Sequence, residues 1–538
     1  MAAPPCPPPA VPRLRIFTVN DVYSEGPNGR GLGGWAQLAS LLEEERARAA
    51  NEGIPSLFVV CGDFLGGSAL GEAFEGRHVV EMLEVLAPDM VVVGNHEFDF
   101  GDEVLSRYMQ ASSYPWLGTN VFVRSAGSSA TPADWRELDL MPGAARWHVV
   151  DVNPPPAAGS DAAGVKVGFI GLCTPATPNL SFPSEDIVFG QPVDVAAAAV
   201  AELAPSVDAV FALTHLREAG DRALAQGVPA IKLLLGGHDH APMVSYEEET
   251  LLVKTGMDNH YLGIIDVVFH PHHDGAVNVV ASPTLLANHS RVPHPDITAV
   301  LAKFKAEQAA RIAANGGNEV LFSVPDGCVL DTRSEVIRRR EAPICNLIAD
   351  CMHAYFAGKG AVGGIINGGF VRGNKTYPGP CDITAGDLQY ELPFPKTISL
   401  IELTPAIFKA ALEQMLINAP DAAGSFPHLS SSLAMEFDAS LPVGERVLAI
   451  KLGSVPLDLS EDNTDTIRIT ITSFMAVGGD SVDSWLRGTI VEDLGDDGPH
   501  ISALFIDYLR KVGSHLGPDA FVPAGRVTQV GVPADANE

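Results

Sequence analysis

Five stretches of this sequence end in residues that bind metals or move protons. Asp21 closes RIFTVND, Asp63 closes VVCGD, and Asn95 with His96 closes VVVGNHE. His215 closes VFALTH, and His238 and His240 close LLLGGHDH. Carboxylate, amide and imidazole donors in one set suit borderline divalent ions such as Zn²⁺, Mn²⁺ or Fe²⁺, rather than a thiolate-only structural zinc. A carboxylate such as Asp63 can bridge two ions, and two ions about 3.5–4 Å apart clamp a phosphate and activate a water. The glycines of CGD, VGN and LGGH let backbone and ion approach with no side chain between them. His96 and Asp99 stand three apart in HEFD. On one helical turn they share a face, and the carboxylate then orients the imidazole as an acid or electrostatic partner for a leaving oxygen. The plainer reading of Asp99 is a helix cap ahead of Gly101 and Asp102.

The runs before these residues must position them. RIFTVN, SLFVVCG, DMVVVGN, KVGFIGL, DAVFALT and IKLLLGG read as buried strands, while GGWAQLASLLEEERARAA and GRHVVEMLEVL carry helical spacing. This alternation predicts an α/β layered architecture with helices on both faces. In such a sheet the carboxyl ends of the strands meet at one crevice, which would gather the Asp, Asn and His residues. One such residue is ordinarily a cap or a loop hydrogen bond; five in step point to a site. The pattern changes past Pro293. HPDITAVLAKFKAEQAARIAANGG predicts one helix, with Asp296 as N-cap and Gly316 as stop. The expected organisation is a domain over 1–293, a connecting helix over 294–318 and a second domain over 319–538. SAGSSATPADW and NPPPAAGSDAAG read as surface insertions without chemistry.

At 538 residues the chain is too long for one ordinary core. Its net charge of −31 would repel DNA, RNA and anionic membranes, so neither a nucleic-acid polymer nor a membrane is an expected partner. An anionic substrate needs a local reversal of sign, and a bound metal supplies it. The seven cysteines form no disulfide framework; Cys61 and Cys173 sit in apolar runs and read as buried hydrophobes. No apolar run approaches the ~18–20 residues of a membrane span. The start, MAAPPCPPPAVP, lacks the apolar region of a secretory signal, and PADANE carries no anchor tail. The chain is therefore expected to be cytoplasmic, or exported if the N-terminus is incomplete.

GNHEFDFG together with GGHDH resembles the metallophosphoesterase pattern of D-x-H, G-D, G-N-H-E, a lone His and G-H-x-H. Over nearly its whole length the chain is similar to the 5′-nucleotidase/UDP-sugar hydrolase family. The resemblance implies a four-layer sandwich of two β-sheets flanked by helices, plus a smaller α/β C-terminal domain. It implies two divalent ions (Zn, Mn or Fe). Asp21, Asp63 and His240 would hold the first, and Asp63, Asn95, His215 and His238 the second. His96 and Asp99 match the catalytic dyad. One position departs: where the family has D-x-H, this chain reads Asp21-Val22-Tyr23. A phenol with an ordinary pKa near ~10 is a poor ligand for a divalent ion. Three readings stand open: fewer protein ligands plus water, a phenolate on a more acidic ion such as ferric iron, or loss of activity.

IINGGFVRGNK, ELPFPKTISLIEL, GSFPHLSS and SFMAVGGDS match four blocks of the family's nucleotide-binding domain. The resemblance makes Phe426 and Phe474 the two rings around the base. It assigns Arg338, Asn367 and Arg372 to base, ribose or phosphate, and Asp480 to the ribose hydroxyls. Aromatic faces stack any base, and arginine forks suit phosphate oxygens. The plainer readings are core for each ring, a solvated face for the basic run at Arg338, and tight turns for Asn367 and Asp480. The implied function is hydrolysis of a 5′-nucleoside monophosphate by in-line attack of a metal-activated water. A UDP-sugar, a 2′,3′-cyclic nucleotide, or nucleotide binding without turnover are the alternatives. Base preference and oligomeric state are not legible.

Overall fold

The computed structural model describes residues 11–125, 131–152, 164–271, 277–314, 316–394, 396–495 and 498–530. Cys6, PADANE, the middle of SAGSSATPADW and all but the last residue of NPPPAAGSDAAG lie outside the described residues. The chain forms two compact units, Met1–Gly67 with Phe74–Lys305, and Ser68–Ala73 with Ala306–Glu538. Helix Pro295–Ala314 crosses this division. It starts on a proline, whose missing N–H would be unsatisfied there in any case. Asp296 therefore lies inside the first turn, not at the N-cap expected from the sequence. Gly316 follows the helix at φ +76°, a conformation that stops it without a Cβ penalty.

The first unit is built on two sheets of seven and six strands. Arg13–Val19, Ser56–Val60 and Met90–Val92 are successive parallel neighbours in the larger sheet. Val165–Cys173, Ala209–His215 and Ile231–Gly236 are successive parallel neighbours in the smaller one. Period-2 alternation divides each strand between two burials. Leu14, Ile16, Leu57, Val59 and Val92 join Val167, Phe169, Phe211, Leu213 and Leu235 in the core between the sheets. Ile170, Leu172, Ala212 and Leu234 face the other way, against Ala196, Ala199 and Leu203 of helix Pro192–Leu203. Phe17, Val19, Phe58 and Val60 are buried on the outer side of the larger sheet, where helix Trp35–Asn51 packs on Ser56–Val60. The result is a four-layer sandwich, and burial of both faces explains the continuous apolar runs.

The second unit carries a five-stranded and a four-stranded sheet. Helices Pro343–Phe356 and Ile501–Val512 bury one cluster, and helix Pro405–Met415 another. No helix among the described residues is long and apolar enough to cross a membrane.

A buried carboxylate in this unit gives its stability a pH dependence. Glu391 accepts hydrogen bonds from Tyr377 Oη (2.8 Å), Thr332 Oγ1 (3.1 Å) and Gly373 N (3.0 Å). Burial outweighs these donors and lifts its carboxyl from 4.5 to about 7. Between those values the folded chain keeps a proton that the unfolded chain has released. Stability from this group is therefore full below the unfolded pKa and falls as pH rises toward 7, by about 3 kcal/mol. Glu391→Gln should reduce the difference in melting temperature between pH 5 and pH 8. An unchanged difference would remove Glu391 as its source.

Candidate functional site

The larger sheet brings Asp21, Asp63 and Asn95 just past the carboxyl ends of its three parallel strands. The smaller sheet brings His215 at the end of Ala209–His215, and His238 and His240 after Ile231–Gly236. Asp21, Asp63 and His238 adopt φ of 54°, 59° and 74°, a left-handed conformation held only where the surroundings fix it. Gly62, at φ +77°, has no room for a side chain, because a Cβ there would lie 2.6 Å from His215 Nδ1.

His215 is fully buried, and its Nδ1–H donates to the Cys61 carbonyl at 2.8 Å. That bond aims Nε2 inward, 3.1 Å from Asp63 Oδ2 and 3.3 Å from His238 Nδ1. Among the described residues, Asp63, His215 and His238 form the one group of such side chains whose ligand atoms all lie within 4.8 Å of one another. The side-chain oxygen of Asn95 is buried without a hydrogen-bond partner. A metal ion suits these donors: facing acceptor atoms, an orphaned amide oxygen and a buried carboxylate are what coordination satisfies.

Asp21 and His240 stand outside that trio and are tied to it through Tyr23. The Tyr23 Oη lies 3.0 Å from Asp21 Oδ1, 3.1 Å from Asp63 Oδ2 and 3.2 Å from His240 Nε2. Asp21 Oδ1 and His240 Nε2 are 3.5 Å apart. Burial opposes ionisation of Asp63 and Asp21, yet the neighbouring histidines hold both carboxyls below the usual range. Burial likewise opposes a charged His215, but Asp63 and Asp21 lift its imidazole to about 10. At His238, burial and the adjacent His215 push the imidazole down to about 3. The two buried carboxylates thus draw positive charge to this point.

His96 opens a single 3₁₀ turn, His96–Phe98, with Asp99 immediately after it. The His96 Nδ1–H donates to Asp99 Oδ2 at 2.7 Å, leaving Nε2 4.0 Å from Asp63 Oδ2. Three residues were missed from the sequence. Ser181 Oγ donates to the other oxygen of Asp99 at 2.7 Å and fixes the carboxylate that fixes the imidazole. Glu97 is buried and accepts from the backbone N–H groups of Asp63, Phe64, Leu65 and Gly94 at 2.6–3.1 Å. It ties two strand ends together, and its place in GNHE was the available signal. Asp258 accepts from the N–H groups of Tyr23 and Ser24, with no signal in the sequence.

In the second unit, Asn367 Nδ2 donates to Asp480 Oδ2 at 2.9 Å and to the Gly424 carbonyl at 3.3 Å. Gly368 N donates to Phe426 O and Ala423 N to Arg338 O, so these four segments are knitted together. Phe426 is 2% exposed and packs among His428 and Phe437. Phe474 is half-buried and lies over Gly479, beside Asp480. The Arg372 guanidinium lies 5.0 Å from the centroid of the Phe394 ring.

Residues 14–242 match the calcineurin-like phosphoesterase family, and residues 323–487 match the 5′-nucleotidase C-terminal domain. The chain is a phosphoric ester hydrolase. This hydrolase is 28% identical over 558 residues to the trifunctional nucleotide phosphoesterase protein YfkN of Bacillus subtilis, covering 97% of the chain but 35% of that much longer relative. It is 23% identical to human 5′-nucleotidase, covering 93% of the chain and 89% of the relative. The crystal structure of a 5′-nucleotidase precursor from Thermus thermophilus superimposes with a TM-score of 0.73 at 25% identity, covering 97% of this chain and all of that one. Phosphoesterases of this calcineurin-like class work with divalent metal ions, in agreement with the cluster at Asp63.

Proposed function

We propose that this hydrolase releases phosphate from 5′-nucleoside monophosphates, using a pair of metal ions held at the strand ends. Asp63, Asn95, His215 and His238 would hold one ion. Asp21, Asp63 and His240 would contribute to the other. The carrying observation is that Asp63 lies between His215 on one side and the His96–Asp99 pair on the other. When bound, the ions supply Lewis-acid polarisation of the phosphate and activation of a water. Within the chain, Asp99 fixes which nitrogen of His96 carries the proton. His96 Nε2 then faces the site, positioned to neutralise charge that develops on the phosphoryl or leaving oxygen. In the second unit, Phe474 would take the base, Asp480 the ribose hydroxyls, and Arg338, Asn367 and Arg372 the base, ribose or phosphate, while Phe426, 2% exposed, is packed in the core.

The relatives named 5′-nucleotidase support the monophosphate as substrate. The YfkN name, a trifunctional nucleotide phosphoesterase, supports a second reading in which more than one kind of nucleotide phosphoester is hydrolysed. The test is to strip the purified protein of metal, restore Mn²⁺, Zn²⁺ or iron, and measure phosphate released from AMP, with UDP-glucose and a cyclic nucleotide alongside. Metal-dependent release from AMP is the expected result. No release from AMP with any metal, while AMP still binds, overturns the monophosphate assignment.

A further inference from the structure

Lys254 is fully buried, an unusual place for an ammonium group unless its partners are built around it. It lies on strand Thr250–Thr255, which runs parallel to Ile231–Gly236 with Lys254 in register with Gly236. A Cβ on Gly236 would stand 3.0 Å from Lys254 Cε, so the glycine leaves room for the lysine stem.

All three ammonium protons are used. Lys254 Nζ donates to the Leu216 carbonyl at 2.6 Å, the Gly237 carbonyl at 2.8 Å and Asp239 Oδ2 at 2.7 Å. The Asp221 carboxylate, also fully buried, lies 2.7 Å away as a second counter-charge. Each of these groups flanks or backs a proposed ligand. Leu216 follows His215, Gly237 precedes His238, and Asp239 stands between His238 and His240. Asp221 accepts from the Oγ1 of Thr214, the residue before His215, at 2.6 Å. Asp239 Oδ2 also accepts from Glu218 N at 2.7 Å, which ties the chain after His215 to the chain after Gly236.

That arrangement exceeds what a core ion pair requires. An apolar side chain would fill the same space without desolvating a charge, and is often no less stabilising. What the lysine adds is direction. His238 has φ of 74°, a left-handed conformation that persists only where its surroundings over-determine it, and Lys254 holds the residue on each side of it. His238 Nδ1 and His215 Nε2 come within 3.3 Å, although they follow different strands. One cation grips both chains behind these rings.

We propose that Lys254 is a positioning residue for the cluster, clamping the chain after His215 to the His238–His240 turn so that the three imidazoles are set before a metal ion binds. This rests on the reading that the cluster binds metal.

Charge and geometry predict opposite results when the lysine is removed. Lys254→Met keeps much of the stem and deletes a positive charge near the site, so charge alone would tighten the binding of a cation. Loss of positioning would weaken it, by about 10–100-fold, as for other groups that orient ligands. The measurement is calorimetric titration of metal-free protein with Mn²⁺, with melting temperatures taken with and without the ion. Weaker binding in Lys254→Met, and a smaller rise in melting temperature on adding Mn²⁺, are the expected results. Binding as tight as wild type or tighter overturns the proposal and leaves Lys254 as a core ion pair. Asp239, whose side chain is 27% exposed, supplies a second pair of variants that should fold even if Lys254→Met does not. Asp239→Ala should weaken Mn²⁺ binding to a similar degree, while Asp239→Asn, which can still accept from Lys254 and Glu218 N, should restore most of it. Equal loss in both would assign the effect to charge, and wild-type affinity in both would leave no effect to assign; either result overturns the proposal. A wild type that binds no Mn²⁺, Zn²⁺ or iron would sink the metal-cluster reading as well.

Discussion

His96→Ala should lower metal-dependent phosphate release from AMP by about 10²–10⁴-fold, with the number of bound ions unchanged. His96 is not in the proposed ligand sets, and its imidazole reaches the site through Nε2 only because Nδ1 is committed to Asp99 at 2.7 Å. Alanine removes a group proposed to meet charge on the reacting oxygens without removing a proposed ligand. Asp99→Asn should give a smaller loss of about 10–100-fold, because an amide oxygen can still orient the ring but no longer balances its charge. Single-turnover phosphate release, with metal content measured on the same samples, checks both. If His96→Ala loses its metal in step with its activity, His96 is a ligand and not an acid or electrostatic partner.

Asp63→Asn should remove more. Asp63 Oδ2 faces His215 at 3.1 Å and Tyr23 at 3.1 Å, and Oδ1 accepts from His96 N at 2.8 Å. One carboxylate therefore faces both proposed donor sets. Asparagine tolerates the left-handed backbone of this position and matches the side chain in shape, so the fold is expected to survive. The negative charge is lost, and the affinity for each ion should drop by at least about 100-fold, since even residues behind the ligands contribute 10–100-fold. Phosphate release should fall below detection at metal concentrations that saturate the wild type. Calorimetric titration with Mn²⁺ or Zn²⁺, alongside far-UV circular dichroism, measures affinity and fold together. Near-normal affinity in the variant would mean that Asp63 does not bridge.

The same backbone devices explain why the site was partly legible. Asp21, Asp63, Asn95, His215, His238 and His240 each follow an apolar run, and strand direction alone places them at carboxyl ends. The His96–Asp99 spacing was equally readable, because three residues apart on a tight turn leaves little choice of geometry. Ser181 and Asp258 were not readable, since each acts on a residue 82 or 235 positions away with no local pattern to mark it. Asp296 was misplaced by two helical positions because a proline start and an aspartate cap look alike in a one-dimensional pattern.

The sequence by itself determined the strands, their direction and the donor at the end of each, through periodicity and the apolar character of residues buried on both faces. Only the tertiary structure decided which donors meet. Asp63 and His215 belong to different sheets, and their approach to 3.1 Å depends on how the shared core of Val59, Leu213 and Leu235 packs. Tyr23 is the sharper case. Its chemistry as a phenol was plain from the chain, but its position among Asp21, Asp63 and His240 depends on Asp258 and on the two imidazole edges beside the ring. Contacts between residues far apart in sequence are set by packing, and packing has no period along the chain.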